Sequence, residues 1–184
     1  MRDEPVDILD ANGNLTGKVL MKQEAHDRGL WHPIVHLWIY NSKGQLLLQK
    51  RSPKKVVHPK VWDISVGGHV VAGDSPKDGA LKEAKEELGL KFSPSDLEFF
   101  DLRKFEEKMP DGWWNRFFAW NYIAKSDVNA AKIKFEKAEI TEVRWFDTDD
   151  LVKHASDPRS KIKFPPDFKN YLDIASDEIR KRMG

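Results

Sequence analysis

Three glutamates lie close together in a segment whose pattern predicts a helix. Glu83, Glu86 and Glu87 fall within an arc of about 100° on one helix face, because an α-helix turns by about 100° per residue. Carboxylates held this close repel one another, and a hard divalent cation such as Mg²⁺ or Mn²⁺ relieves that repulsion, since oxygen atoms are its preferred ligands. Taken alone, such a triplet is more often a solvated face paired with neighbouring lysines. The triplet therefore leaves two interpretations, a metal site and a solvated acidic face.

The glutamates belong to a longer spaced pattern that runs from Gly68 to Leu90. This segment resembles the box of the Nudix hydrolases, G-x5-E-x7-R-E-U-x-E-E-x-G-U, in which U is an aliphatic residue. The positions that match are Gly68, Glu83, Glu86, Glu87, Gly89 and Leu90, with Ala84 as a small residue at the first aliphatic position. Asp74 stands where the family has Glu, and Lys82 where it has Arg, a pair that the resemblance implies to brace the loop against the helix. The length of the pattern favours the metal site.

Outside the box the resemblance runs from about residue 6 to residue 151 and points to the Nudix proteins most similar to type I isopentenyl diphosphate isomerase. The segments that carry it are Leu30-Trp31-His32, Leu46 to Arg51 and Val61 to Val70. That isomerase moves a proton at carbon with a Cys and a Glu, and it holds a second metal with three His and two Glu. Here Gly67 occupies the position of the Cys, and Trp and Arg replace the acids in the segment 113–116. The resemblance implies a relative without the isomerase chemistry.

The resemblance also implies a role for each acid. The expected metal ligands are the carbonyl of Gly67 and the carboxylates of Glu83, Glu86 and Glu87, with Mg²⁺ as the ion and Mn²⁺ as the alternative. The cation would bridge two phosphates of a substrate and lower the pKa of the water that attacks phosphorus. The general base stays open between Glu83, Glu139 and Glu142, with Glu139 preferred. The alternative for Glu139 is an exposed acid at the start of a strand.

A basic stretch over residues 50–60 is a candidate for phosphate binding. It contains five Lys and Arg residues, no acid and two prolines, which predicts an exposed loop. Lys50 and Arg51 are the preferred phosphate ligands, through charge-assisted hydrogen bonds, with Lys54 and Lys60 as further candidates. The alternative is a solvated loop without a ligand.

Aromatic and imidazole side chains complete the candidate site. Trp62 is a candidate for stacking on a base or covering an isoprenoid tail, and otherwise a core residue. His32 and His69, with the slightly displaced His26, are what remains of the His set of the isomerase. They are candidates for metal or phosphate binding, and otherwise satisfied polar residues.

The elements that must position these residues alternate between strands and helices, which predicts an α/β (α+β) fold, in the Nudix case a mixed sheet between helices. Residues 1–30 predict a hairpin and a short helix, residues 156–184 a helical extension. The box helix is predicted over 76–88, because Ser75 is a good cap, Pro76 suits the first turn and Gly89 ends it. Further strands are predicted at 34–40, 45–50, 62–66, 97–105, 116–123 and 142–146, further helices at 148–155 and 166–183, and a Gly-Gly loop at 67–68.

Composition limits the function. The 184 residues suit a single domain over 1–184, and the absence of Cys excludes disulfides, thiolate metal sites and a cysteine nucleophile. A net charge of +1 does not favour nucleic acid as a partner. No signal or membrane-spanning pattern is present, so a cytoplasmic location is expected, and the apolar stretch from Phe164 to Leu172 leaves a homodimer open.

We therefore expect a Mg²⁺-dependent Nudix pyrophosphohydrolase that acts on acid anhydrides. Its substrate would be a small organic diphosphate, either a nucleoside diphosphate derivative or an isoprenoid-type diphosphate. Two alternatives stay open, an enzyme like isopentenyl diphosphate isomerase and a non-catalytic nucleotide-sensing module. The box acids favour an enzyme over the sensor.

Overall fold

The computed structural model describes residues 3–184, and Met1 and Arg2 of the predicted N-terminal hairpin region lie outside it. In chain order the elements are β1 (Pro5–Leu9), β2 (Leu15–Met21), α1 (Lys22–Asp27), β3 (His32–Tyr40), β4 (Leu46–Arg51), β5 (Trp62–Asp63), β6 (Val66–His69), α2 (Pro76–Leu88), β7 (Glu98–Lys108), β8 (Trp114–Lys125), β9 (Ile140–Phe146), α3 (Thr148–Ser156) and α4 (Phe168–Met183). Short 3-10 turns at Pro94–Asp96 and Ala130–Lys132 complete the list for this part of the chain.

The main sheet is mixed. β3 pairs in parallel with β8 and antiparallel with β4 and β6, while β4 also pairs with β5 and β9, and β7 forms the edge beside β8. The separate hairpin β1–β2 forms as predicted. This combination of a mixed sheet with helices confirms the predicted α/β (α+β) class.

The central strand β3 is buried on both faces, because apolar side chains occupy both faces of the strand. Val35, Leu37 and Ile39 enter a core that includes one side of α2. Trp38 and Tyr40 enter a second core, which helices α3 and α4 cover. The sheet therefore lies between helices, as the Nudix resemblance implied.

Gly67 and Gly68 differ from the prediction. They were expected in a loop after a strand at 62–66, but they lie within β6, where Gly67 is opposite His36 and Gly68 opposite Val35. The central strand offers a row of backbone donors and acceptors that need partners, and the two glycines supply them. The glycines are consequently held in a fixed register.

The C-terminal extension covers the core. Phe168 and Leu172 of α4 are 4% and 0% exposed and pack into the second core. The helix begins at Phe168 instead of residue 166, because Asp167 has a φ of 60° and interrupts right-handed helical backbone. Among residues 3–184, no helix is both long and apolar enough to cross a membrane.

Candidate active site

Helix α2 presents the box acids to the sheet. The Ser75 hydroxyl caps its start by accepting from the Asp78 backbone N–H at 3.2 Å, and Gly89 ends it with a φ of 65°, so both predicted boundaries are confirmed. The helix buries Ala80, Ala84 and Leu88 against the sheet. This packing fixes the rotation of the helix and with it the direction in which the acids point.

Glu87 lies at the centre of the site. Its side chain is only 7% exposed. One carboxylate oxygen accepts from the side-chain amide of Gln49 at 3.1 Å and from the backbone N–H of Gly67 at 3.4 Å. Burial, with the nearby charge of Glu83 as the second cause, raises the pKa of Glu87 to about 8. The two hydrogen bonds do not offset the loss of solvation. The charged form of the Glu87 carboxylate is therefore only partly stabilised by the residues around it.

Glu83 lies directly against the glycine strand. A Cβ atom on Gly68 would approach the Glu83 Cδ and Oε1 atoms to 2.1 Å, so this carboxylate occupies the space that any other residue at 68 would fill. Burial, and after it the charge of Glu86, raises the pKa of Glu83 to about 7. Glu86 itself is exposed. Two of the three predicted acids are therefore held in a poorly solvated place, and the third lies at its solvent edge.

Lys55 of the basic loop approaches the acids, although the sequence did not single it out. Its ammonium forms an ion pair with Glu139, in which the two side chains are 15% and 16% exposed. The same charge acts on Glu83 and Glu87, where it opposes the rise of their pKa that burial causes. The basic loop and Glu139 thus meet through Lys55, whose charge also acts on Glu83 and Glu87. Five cations in one irregular loop gave no signal to choose among them.

The two residues predicted as phosphate ligands, Lys50 and Arg51, have other contacts. The Arg51 guanidinium donates to the carbonyls of Val57 and His58 and pairs with Asp63 at 3.2 Å. Arg51 therefore closes the loop instead of offering a free guanidinium. Lys50 places its ammonium 5.9 Å from the centre of the Trp62 ring.

Trp62 is a core residue in this structure. It is 5% exposed and its ring packs edge-on against Phe146 at 4.8 Å between ring centres. Its face is therefore not available to stack on a substrate, which corrects the expectation that it lines the pocket. Glu142, the other candidate base on β9, is exposed.

Three histidines converge beside the acids. In the described part of the chain, His26, His32 and His69 form a group in which one ring nitrogen from each lies within 4.8 Å of the others, and Glu83, Glu86 and Glu87 form no group of this kind. The Nε2 atoms of His26 and His69 are 3.0 Å apart. His32 is fully buried, and its Nδ1 lies 2.9 Å from the Leu30 carbonyl, which makes Nδ1 the donor and leaves Nε2 without a partner.

Burial keeps these imidazoles neutral. It lowers the pKa of His32 to about 4, with the charge of His26 as the next cause, and it lowers the pKa of His69 well below the usual range. Neutral imidazoles with unpartnered nitrogens are able to ligate a metal ion. The structure thus brings His32 and His69 together with His26, the third histidine that the sequence analysis named.

The predicted brace between Asp74 and Lys82 is absent from the described residues. Lys82 donates instead to the Glu4 carboxylate at 3.0 Å. Asp74 is exposed. The Asp74 side chain is one methylene shorter than the Glu that the family has at this position. Glu4, which lies 78 positions before Lys82, is the partner of Lys82 instead.

The spacing of the acids, their position on a capped helix against a mixed sheet and the paired glycines agree with one family model. The NUDIX domain model matches residues 30–168. The chain belongs to the Nudix family. Membership confirms the prediction of a Nudix-type hydrolase, and it gives Glu83, Glu86 and Glu87 the context of the Nudix box.

Relatives by sequence include both hydrolases and isomerases. The chain is 33% identical over 148 residues to an uncharacterized Nudix hydrolase of Listeria monocytogenes, which covers 80% of this chain and 82% of the relative. It is 30% identical over 153 residues to the isopentenyl-diphosphate Delta-isomerase of Shigella boydii, covering 83% and 81%. Both the Nudix family and its isomerase branch are therefore similar to this chain, as predicted.

Solved structures agree with the fold. A protein of Deinococcus radiodurans has a TM-score of 0.71 at 23% identity and covers 92% of this chain and 98% of its own. The NUDIX domain of NrtR from Shewanella oneidensis, solved with ADP ribose, has a TM-score of 0.59 at 15% identity and covers 82% and 87%. At these identities the likeness concerns the fold alone.

Proposed function

We propose that this protein is a Mg²⁺-dependent hydrolase that cleaves the diphosphate linkage of a small organic diphosphate. The observation that carries the proposal is the pair of poorly solvated carboxylates, Glu83 and Glu87, packed against Gly67 and Gly68. Two poorly solvated carboxylates destabilise the folded protein when charged, unless a positive charge binds to them.

The residues present fit a hard divalent cation. The donors at this place are oxygen atoms, which Mg²⁺ and Mn²⁺ prefer, and burial together with the charge of a neighbouring glutamate raises the pKa of both acids. Glu83, Glu87 and the Gly67 carbonyl would hold the ion, with Glu86 reaching it from the solvent side. When bound, the cation supplies charge neutralisation on the phosphates and lowers the pKa of a water molecule.

Lys55 and Glu139 are the two residues to which the proposal assigns contacts with the substrate and the attacking water. The Lys55 ammonium would bind a phosphate oxygen, since its charge already acts on the acid site. Transfer of Lys55 from Glu139 to a phosphate would leave the Glu139 carboxylate free to accept a proton from the attacking water. Glu139 therefore remains our candidate for the general base, with Glu83 as the alternative.

Two substrate classes deserve a test. ADP ribose is bound in the NrtR structure, and a nematode neighbour is described as an Ap4A hydrolase, so nucleoside diphosphate derivatives form the first class. The isomerase relatives make isopentenyl diphosphate the second. Both classes carry the diphosphate that the acids and Lys55 would bind.

Isomerisation is the second candidate activity, because isomerases are among the relatives, but the side chains oppose it. Gly67 has no side chain with which to exchange a proton. Arg116 stacks on Trp114 at 4.5 Å and pairs with Glu106 at 3.1 Å, so this segment offers cations and rings where an acid is required. We therefore expect hydrolysis or no reaction with isopentenyl diphosphate.

The test is a screen of both substrate classes with and without Mg²⁺, followed by Glu87→Gln. At pH 7 the neutral carboxyl predominates at Glu87 in the metal-free protein, because its pKa is about 8, so Gln is nearly isosteric and folding is expected to be retained. Turnover should fall by more than about tenfold, since a ligand of the ion contributes several kcal/mol to transition-state stabilisation.

Glu86→Gln is the matched variant on the same helix, and its exposed position predicts a smaller loss. A Glu87→Gln protein that keeps more than about a tenth of the wild-type rate would contradict the metal site. Steady formation of dimethylallyl diphosphate from isopentenyl diphosphate, followed by NMR, would replace hydrolysis by isomerisation as the function.

A further inference from the structure

The segment before β1 contacts the catalytic helix. The Glu4 carboxylate accepts from the Lys82 ammonium at 3.0 Å, and the two side chains are 30% and 34% exposed. Lys82 immediately precedes Glu83 in α2. Glu4 lies upstream of residue 30, where the match to the family model begins. The box is therefore paired with a residue from outside the matched domain.

Hydrogen bonds to the loop before α2 fix this segment beside the box. The Pro5 carbonyl accepts from Ala72 N–H at 2.9 Å, and the Asp7 carboxylate accepts from Gly73 N–H at 3.0 Å. Ala72 and Gly73 belong to the loop that leads into α2. Three contacts thus join residues 4–7 to the loop and helix of the box, and the position of Glu4 is set by the register of its neighbours.

Lys82 has a choice of acidic partners. Its ammonium bonds to Glu4, and it also feels the charges of Glu86 and Glu83. A lysine side chain is long and flexible, so without Glu4 the ammonium would turn toward the other two carboxylates. There it would neutralise charge that a divalent cation requires.

We propose that Glu4 is a positioning residue for the acid cluster: it holds the Lys82 ammonium away from Glu83 and Glu86, so that these carboxylates stay free for a divalent cation. The proposal rests on the proposed function, because it assumes that the acids bind a metal. The N-terminal segment would then influence metal binding through Lys82, without contacting the metal or the substrate itself.

The test is a double-mutant cycle on Mn²⁺ affinity, measured by electron paramagnetic resonance on the full chain. Glu4→Gln is expected to raise the Kd for Mn²⁺ about three- to tenfold, which corresponds to one freed ammonium competing for the carboxylates. Lys82→Met should bind Mn²⁺ at least as tightly as the wild type. In the Lys82→Met background, Glu4→Gln should change the Kd by less than about twofold.

Glu24→Gln is the matched control, because Glu24 forms an exposed ion pair with Arg28 in the same N-terminal region and has no described contact with α2. It should leave the Kd unchanged. An unchanged Kd in Glu4→Gln, or an equal loss in both backgrounds, would overturn the proposal. If Glu4→Gln does not fold, Lys82→Met decides, and weaker Mn²⁺ binding in that variant would contradict the role given to Lys82.

The same measurements separate this proposal from the proposed function. A wild-type protein that hydrolyses a diphosphate while Glu4→Gln binds Mn²⁺ normally would refute the role of Glu4 alone. A wild-type protein that binds Mn²⁺ and follows the cycle, but hydrolyses no diphosphate in the screen, would refute the function and support the role of Glu4. Absence of Mn²⁺ binding in the wild type would overturn both.

Discussion

The substitution Gly68→Ala is expected to disturb the chemistry of the site while leaving the fold intact. The added Cβ would lie 2.1 Å from the Glu83 Cδ and Oε1 atoms, whereas ordinary van der Waals contact begins at 3.4 Å, so the carboxylate must retreat by about 1.3 Å. The atoms in conflict are at the far end of a flexible side chain. The backbone is therefore expected to keep its register with β3.

The expected effects of Gly68→Ala on stability and on turnover differ in size. An Ala in an extended position reduces the entropy of the unfolded chain, which favours the fold by about 0.4–1 kcal/mol and offsets the displacement of Glu83. We expect the free energy of unfolding to change by less than about 1 kcal/mol. A catalytic group misplaced by about 1 Å costs about a hundredfold in rate, or about 2.7 kcal/mol, so kcat should fall by that factor.

The assay combines denaturant unfolding, the Kd for Mn²⁺ and turnover of the diphosphate that the screen identifies. Gly79→Ala on α2 is the matched control, because its Cβ would meet Val70 Cγ2 at an ordinary 3.4 Å and the glycine lies in a helix. That variant should keep full activity and gain up to about 1 kcal/mol of stability.

Two outcomes would refute the reasoning. If Gly68→Ala keeps both its Mn²⁺ affinity and more than about a third of the wild-type kcat, the position of Glu83 does not limit the reaction. If Gly68→Ala lowers activity by the same factor in a Glu83→Gln background, the effect does not act through Glu83.

Two further predictions concern charge. In the metal-free protein Glu83 and Glu87 have pKa values raised to about 7 and about 8, so the folded state binds more protons than the unfolded state from about pH 4.5 upward. Stability should fall as pH rises to about 8, and Mg²⁺ should raise the Tm more at pH 8 than at pH 6; a pH-independent Mg²⁺ effect in thermal unfolding would contradict this. Lys55→Met should raise the KM for the diphosphate about tenfold, whereas Lys54→Met, an exposed change in the same loop, should not; equal KM values would remove Lys55 from the substrate site.

Local signals made helix α2 predictable. Ser75, Pro76 and Gly89 act within a few residues of the helix ends that they determine, and the apolar residues of α2 repeat with the helix period. The orientation of Glu83 and Glu87 toward the sheet follows from the same repeat. This part of the site could be predicted because every determinant lies within one short segment.

Contacts between distant segments could not be predicted in this way. Lys82 pairs with Glu4, and nothing near residue 82 indicates that the N-terminal segment will reach it. In the basic loop, His58 and Lys60 have φ values of 44° and 67°, so the chain does not follow a regular path and side-chain directions cannot be counted from the sequence. Such a loop turns Lys55 toward the acids and engages Arg51 in its own closure.

One short strand connects the two halves of the site. β6 carries Gly68, which makes room for Glu83, and His69, which joins the histidine group, and each is held opposite its own partner on β3. A Cβ at Gly67 would meet His36 and Ile64 at 3.2 Å, so a larger side chain there presses on the core behind the strand. Gly67 offers no side chain for proton exchange at carbon, and residues 113–116 offer rings, an amide and a guanidinium, so we expect hydrolysis and not isomerisation, as proposed above.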